Sequence, residues 1–153
     1  VGEKWKTNSN YMINRRFIVP GLAEGYHWGT SRDYVTLGYY TRVEEFEDII
    51  RALCYITGTP YERTVHLRDF VNKNSIVWGK WVNMTRIGVK QDGNGEIIDK
   101  YVITGFFRIR AYKKGTIHFE FIDEDVWAKF NIAVAKIKGW QLPQNVRTTK
   151  KKK

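Results

Sequence analysis

The sequence is poor in cysteine, proline and histidine, with one, three and three of them in 153 residues. The single cysteine, Cys54, excludes an internal disulfide and a cysteine-based zinc site, which is typical of proteins from a reducing compartment. We therefore expect a cytoplasmic protein. His27 and His66 have no partners in the sequence pattern, and neither a metal nor another cofactor is predicted.

Long apolar runs are also missing. No stretch approaches the roughly 20 apolar residues needed to span a bilayer, and the start of the chain has no signal-peptide core, so neither a membrane protein nor a secreted one is expected. The first residue is Val1 and residues 1–10 are mostly polar, which favours a flexible segment in a piece of a longer polypeptide. Residues 11–145 show no repeat or internal linker and are predicted to form a single domain.

Positive charge and aromatic side chains are abundant. The net charge is +10, and aromatic residues make up 15% of the chain. Four of the charges come from Lys150 to Lys153, and residues 146–153 are predicted to form a disordered basic tail. The +6 that remains after these four are subtracted still favours a polyanionic partner such as DNA.

Three helices are predicted from capping signals and apolar spacing. Thr41 and Glu44 fit a capping box, so the first helix is expected to start at Thr41 and to end at Gly58. A shorter helix is predicted over 64–73. The third is expected to begin at Asp123, a good N-cap, and its buried stripe is Val126, Trp127, Phe130, Val134 and Ile137.

Strands are predicted where β-branched and aromatic residues cluster. In chain order these segments are 11–19, 34–40, 76–89 and 96–104. The turn sequence Asp92-Gly93-Asn94-Gly95 joins the last two.

Residues 106–121, FFRIRAYKKGTIHFEF, predict a hairpin with Lys113-Lys114-Gly115 as its loop, because a two-residue loop would mix apolar and charged side chains on one face. Arg108 then pairs with Glu120, and Arg110 with His118. The buried face is predicted to consist of Phe107, Ile109, Ala111, Ile117, Phe119 and Phe121. Together the elements predict an α+β fold: a mostly antiparallel, twisted sheet with two main helices packed on one face.

The other hairpin face is predicted to bind nucleic acid, because guanidinium and ammonium groups contact phosphates and an interleaved aromatic can stack on an unpaired base. The candidate residues are Arg108, Arg110, Tyr112, Lys113, Lys114 and His118 of the hairpin, Lys136 and Lys138 at the end of the last helix, and Trp78 and Lys80. The alternative is a solvated face on which Arg108 forms an ion pair with Glu120.

Three segments together resemble a known domain family: DIIRALCYITG (48–58), the hairpin 106–121, and FNIAVAKIKGWQLP (130–143). This combination is similar to the uncharacterised family numbered 4942 among domains of unknown function. The resemblance implies a context beside an adenine-specific DNA methylase domain in bacterial, plasmid and phage proteins. It brings no catalytic residues, and the chain itself has neither a glycine-rich cofactor loop nor an Asp-Pro-Pro-Tyr type motif.

A metal-dependent nuclease is the third and least favoured interpretation. His118, Glu120, Asp123 and Asp125 lie close in sequence and include metal-ligand types that serve in phosphodiester cleavage. Asp123 and Asp125 are, however, explained by helix capping, and Glu120 is not part of a Glu-x-Lys element. No catalytic residue is therefore predicted.

The resulting hypothesis is a non-catalytic DNA-binding module accessory to a methylase-like enzyme. The competing hypothesis is a protein-interaction module whose exposed aromatic residues contact a partner protein. Phosphate contacts make affinity fall with salt, whereas an aromatic protein interface responds little, so ionic strength distinguishes the two.

Overall fold

The computed structural model describes residues 13–24, 34–38, 40–136 and 147–148. Strands and helices follow one another along the chain and confirm the α+β class. The strands are β1 (Arg16–Val19), β2 (Val82–Gln91), β3 (Ile97–Ala111), β4 (Ile117–Phe121) and β5 (Arg147–Thr148). The helices are α1 (Tyr40–Thr57), a short 3-10 helix (Tyr61–Arg63), α2 (Leu67–Lys73) and α3 (Glu124–Lys136).

The five strands form one antiparallel sheet in the order β2-β3-β4-β1-β5. Two hairpins, β2–β3 and β3–β4, share β3, and β1 adds to the far side of β4. The tail residues Arg147 and Thr148, expected to be disordered, pair with β1 as β5. The other residues of the predicted tail and the N-terminal segment 1–10 lie outside the described residues.

The core lies between one face of the sheet and the helices α1 and α3. Phe46 of α1 stacks on Phe119 of β4 with ring centroids 4.2 Å apart, and Phe130 of α3 lies 6.0 Å from Phe121. Each of these rings is fully buried, which stabilises the fold by roughly 1.5–3 kcal/mol per side chain. The prediction that two helices pack on one sheet face is confirmed.

The start of α1 differs from the expectation. The helix begins at Tyr40, so Thr41 lies inside the first turn and cannot be the cap of a capping box. The predicted strand 34–40 is reduced to two isolated bridges, Ala23 with Leu37 and Tyr34 with Val77. The end of α1 is as expected: Gly58 has φ +73°, and the Thr59 N–H donates to the Cys54 carbonyl at 3.0 Å.

A carboxylate of α1 connects this helix to α2. Glu47 is buried and accepts hydrogen bonds from Tyr61 Oη at 2.9 Å and from the Leu67 N–H at 3.0 Å, and its oxygen lies 3.0 Å from Nδ1 of His66. Burial, together with the hydrogen bond to Glu47, raises the pKa of Tyr61. Glu47 thus satisfies backbone and side-chain groups at the start of α2.

The strands β2 and β3 also depart from the predicted boundaries. Gly79 takes φ +78° and delays β2 until Val82, six residues after the predicted start at Ile76. The predicted strands 96–104 and 106–111 are one continuous strand. Their junction is Gly105, where an added Cβ would lie 3.0 Å from Cβ of Val65, so the missing side chain makes room for the chain before α2.

The predicted cap of α3 is confirmed, because the Asp125 N–H donates to Asp123 Oδ1 at 2.8 Å. Trp127 Nε1 and Asn131 Nδ2 both donate to the Ile13 carbonyl, which fixes α3 to the chain before β1. Ile137 of the predicted stripe lies outside the described residues. In the described part of the chain, no helix has the length and apolarity required to cross a membrane.

Candidate nucleic-acid interface

The β3–β4 hairpin has the predicted register. Arg108 faces Glu120, Arg110 faces His118, and the Tyr112 N–H donates to the Thr116 carbonyl at 2.9 Å. All six side chains of the predicted buried face are fully buried. The alternate side chains therefore lie on the opposite sheet face, away from α1 and α3. We call this surface the basic face and define it by Arg16, Arg108, Arg110, His118 and Glu120 together with the turn 112–116.

One row across the basic face is already paired. The Arg108 guanidinium forms an ion pair with the Glu120 carboxylate across the hairpin, and Arg16 of β1 approaches the same carboxylate at 3.7 Å. Both arginines lie over the Trp81 ring, with their Cζ atoms 4.7 Å and 5.4 Å from its centroid. The ion pair belongs to the solvated-face alternative, and it leaves Arg108 less available to a ligand than a solvent-exposed arginine.

The next row carries charge without a carboxylate. Arg110 lies over the Tyr112 ring at 5.4 Å, and the Tyr112 and His118 rings are 4.7 Å apart. Nε of Arg110 is buried and has no hydrogen-bond partner in the described structure. This row therefore presents a guanidinium and two flat rings.

The electrostatics around His118 reflect this arrangement. Burial lowers the pKa of its imidazole, and Arg16, Lys114 and Arg110 lower it further. These cations come from β1, the turn and β3, so three separate segments direct positive charge toward one position.

The turn that carries Lys113 and Lys114 is held in place. Gly115 has φ +99°, and its carbonyl accepts the N–H groups of Leu22 and Ala23 at 2.9 and 3.0 Å. Both lysines are exposed. The turn thus presents two ammonium groups from a backbone fixed by the loop after β1.

The candidates Trp78 and Lys80 do not share a strand face, because they precede β2 and Gly79 breaks the alternation between them. Trp78 is partly buried and packs against the core, while Lys80 is exposed. The indole on the basic face is that of Trp81, which is not among the predicted binding residues although it neighbours two of them. Trp81 directly precedes Val82, which packs against the core. Strand alternation between these two residues was the available indication that Trp81 lies on the opposite sheet face.

The candidates of α3 are only partly described. Lys136 is the last residue of the helix, and its side chain lies outside the described part, as does all of Lys138.

The family described as "Domain of unknown function (DUF4942)" matches residues 1–140. The chain belongs to this family. No curated protein and no solved structure matches it.

Among the described residues of the DUF4942 domain, no group of three or more histidine, cysteine or acidic side chains is arranged to hold a metal ion. An open pocket of about 350 Å³ lies beside the Arg108–Glu120 pair and includes Arg15 and Asn83. Arg15 is occupied there by the carbonyls of Phe121 and Ile122 and by the Glu124 carboxylate. Cys54, on the buried side of α1, has its pKa raised by burial and is not an activated nucleophile.

Proposed function

We propose that this domain is a non-catalytic DNA-binding module that contacts phosphates through the basic face and helps to position a DNA-modifying enzyme. The accessory role follows the context implied by the family resemblance. The hairpin geometry supports the choice of contact residues.

The observation that carries the proposal is the charge balance of the basic face. On β1, on β3 from Arg108 onward, in the turn 112–116 and on β4, there are five cationic side chains and a single carboxylate. The cations are Arg16, Arg108, Arg110, Lys113 and Lys114, and the carboxylate is Glu120. A positive surplus on a surface that neither α1 nor α3 covers suits a phosphate backbone.

The five cations have two different roles in this proposal. Arg16 and Arg108 are placed by Glu120 and Trp81, so they form the base of the surface. Arg110, Lys113 and Lys114 have no described acidic partner and supply the phosphate contacts. Tyr112 and His118 add ring faces beside them, which suit stacking on an unpaired base.

The competing protein-interaction module has its own support, because exposed apolar side chains cluster on β2 and β3. They lie beyond the basic face, toward the far end of the β2–β3 hairpin. A protein contact there would not compete with DNA on the basic face.

The test is fluorescence-anisotropy titration of labelled single- and double-stranded DNA at several salt concentrations. The chain should end at Thr149, which retains β5 but removes the four terminal lysines. We expect salt-sensitive binding, with a slope of log affinity against log salt near −0.9 per phosphate contacted on duplex DNA.

A charge-matched pair of variants separates a site from a general charge effect. One changes Arg108, Arg110, Lys113 and Lys114 to Gln, and the other changes the exposed cations Arg63, Lys73, Lys90 and Lys100 to Gln. The first should lose most of its affinity and the second little. Equal losses, or no binding by the unmodified chain at low salt, would refute the proposal.

A further inference from the structure

The far part of the β2–β3 hairpin, residues 85–104, contributes no buried hydrophobic side chain to the core, although Ile103 packs against the core. We call this part the arm. Ten large hydrophobic side chains of the described chain are exposed, and six of them lie on the arm. They are Ile87, Val89, Ile97, Ile98, Tyr101 and Val102. A monomeric protein rarely concentrates exposed apolar surface in this way, so the arm is the strongest candidate for a protein contact.

The arm also has a free edge. The strand β2 stands at the end of the sheet, and within the described chain only β3 pairs with it. A ten-residue edge strand presents a row of backbone N–H and C=O groups that can pair with another strand. Arg86, which could obstruct pairing, is directed to the carbonyls of Thr64 and Glu62.

We propose that the occupant of this edge is a second copy of the chain, whose β2 pairs antiparallel with β2 about a two-fold axis at Ile87. The axis runs perpendicular to the sheet, so a side chain lies on the same sheet face in both copies. The symmetry also requires that one residue pairs with its own copy at the centre of the register. Ile87 then faces its own copy, Thr85 faces Val89, and Asn83 faces Gln91. The pairing covers residues 83–91 and joins two sheets into one.

The neighbouring registers are less favourable. Centring on Arg86 places two arginines directly opposite each other, and centring on Gly88 places Arg86 opposite Lys90. Like charges directly opposite destabilise strand pairing. The register at Ile87 has no such pair, and it places the exposed Ile87 and Val102 of both copies in one apolar row.

Charge complementarity at the two ends of the β2–β2 pairing also favours a second copy of the chain as the partner. The turn beyond β2 contains the exposed acidic residues Asp92 and Glu96. In the proposed register, Asp92 lies opposite Val82 of the second copy, two residues from the exposed Lys80. The acidic turn of each arm therefore approaches Lys80 of the other copy.

Sedimentation velocity of the full chain over a concentration series tests the proposal. We expect a concentration-dependent dimer. Ile87→Lys places two lysines at the axis and should weaken the dimer at least about tenfold. Ile98→Lys is the matched control: it adds the same charge at another exposed apolar position of the arm, on β3 and outside the row of Ile87 and Val102, and should weaken the dimer much less.

Cysteine crosslinking tests the register. Ile87→Cys should form a disulfide-linked dimer under mild oxidation, while Val102→Cys and the unmodified chain, whose Cys54 is buried, should not. A monomer at all concentrations overturns the proposal. So does a dimer that resists Ile87→Lys or fails to crosslink at position 87. The measurement contains no DNA, so its outcome is independent of the basic face.

Discussion

The Glu47 carboxylate of α1 accepts a hydrogen bond from the backbone N–H of Leu67 at 3.0 Å and thereby satisfies the first N–H group of a different helix, α2. The same carboxylate accepts a hydrogen bond from Tyr61 Oη and contacts Nδ1 of His66. One buried side chain thus holds α1, the 3-10 helix and α2 together.

Replacing Glu47 with Gln should destabilise the fold by about 2–3 kcal/mol, because an amide nitrogen would then face donors that need an acceptor. Urea denaturation measures the change. The control is Asp48→Asn, which alters an exposed neighbour whose ion pair with Arg51 lies at the surface and should cost under about 1 kcal/mol. Similar losses in both variants would show that Glu47 is not the structural link.

Gly115→Ala should destabilise the hairpin by about 1–3 kcal/mol, because φ +99° is unfavourable for a side chain and the added Cβ would lie 3.0 Å from the Ala23 carbonyl oxygen. Thermal unfolding measures the loss. Gly93→Ala is the matched control in the β2–β3 turn, where φ is not positive and an added Cβ meets nothing within 4 Å. If both variants unfold at the same temperature, the turn is not conformationally restricted.

Alternation with period two was sufficient to predict the β3–β4 hairpin, because a shift by one residue would place Arg110 opposite Phe119 in the core. The Asp123 cap and the Gly58 terminus were predictable for a similar reason: both depend on local backbone chemistry. The contact of Glu47 with Leu67 joins residues 20 positions apart, and no local pattern indicates it. Thr41 shows the opposite error, since its capping-box sequence lies inside a helix that begins at Tyr40.

For the basic face, the sequence predicted the side chains of β3 and β4 and the pairing of Arg108 with Glu120, but not the contributions of Arg16 and Trp81. The sequence indicates which side chains share the face of β3 and β4. It does not indicate that β1 lies beside β4 and brings Arg16 to Glu120, or that Trp81 lies under two guanidinium groups. Those relationships depend on strand order, which the spacing of residues does not determine.

The stability of the domain should fall as the pH drops below about 6.5, the ordinary pKa of histidine, because His118 has a lowered pKa when folded. The unfolded chain then binds a proton that the folded chain resists. The stabilisation is fully present above the unfolded pKa and is lost as the pH falls toward the folded one. Urea denaturation across pH 5–8, compared with His118→Gln, measures this contribution, which the variant should lack. An identical pH profile in the variant would contradict it.

If phosphates bind beside Arg110 and Lys114, they offset the positive charge around His118 and raise its pKa. DNA affinity should then increase as the pH falls from about 7.5 to 6. Anisotropy titration at fixed ionic strength measures this change, and His118→Gln serves as the control. An affinity that is independent of pH in the unmodified chain would place the phosphates away from His118.

Arg108 and Arg110 are two residues apart on one face, yet their substitutions should have different effects. Arg108→Gln removes the main partner of the Glu120 carboxylate, which is only 15% exposed, and should cost about 1–3 kcal/mol of stability. Arg110→Gln breaks no described ion pair and should leave stability within about 1 kcal/mol while lowering DNA affinity. Denaturation and anisotropy measured on both variants give the comparison.

A double variant distinguishes a structural arginine from a ligand contact. Adding Glu120→Gln to Arg108→Gln removes the unpaired carboxylate and should restore part of the lost stability, because the cost lies in leaving a charge without its partner. The same addition to Arg110→Gln should restore nothing, since Glu120 pairs with Arg108 and Arg16. If Glu120→Gln restored stability to Arg110→Gln and not to Arg108→Gln, the assigned roles would be wrong. Arg110 would then be the structural partner of Glu120, and Arg108 would be the arginine free to contact phosphate.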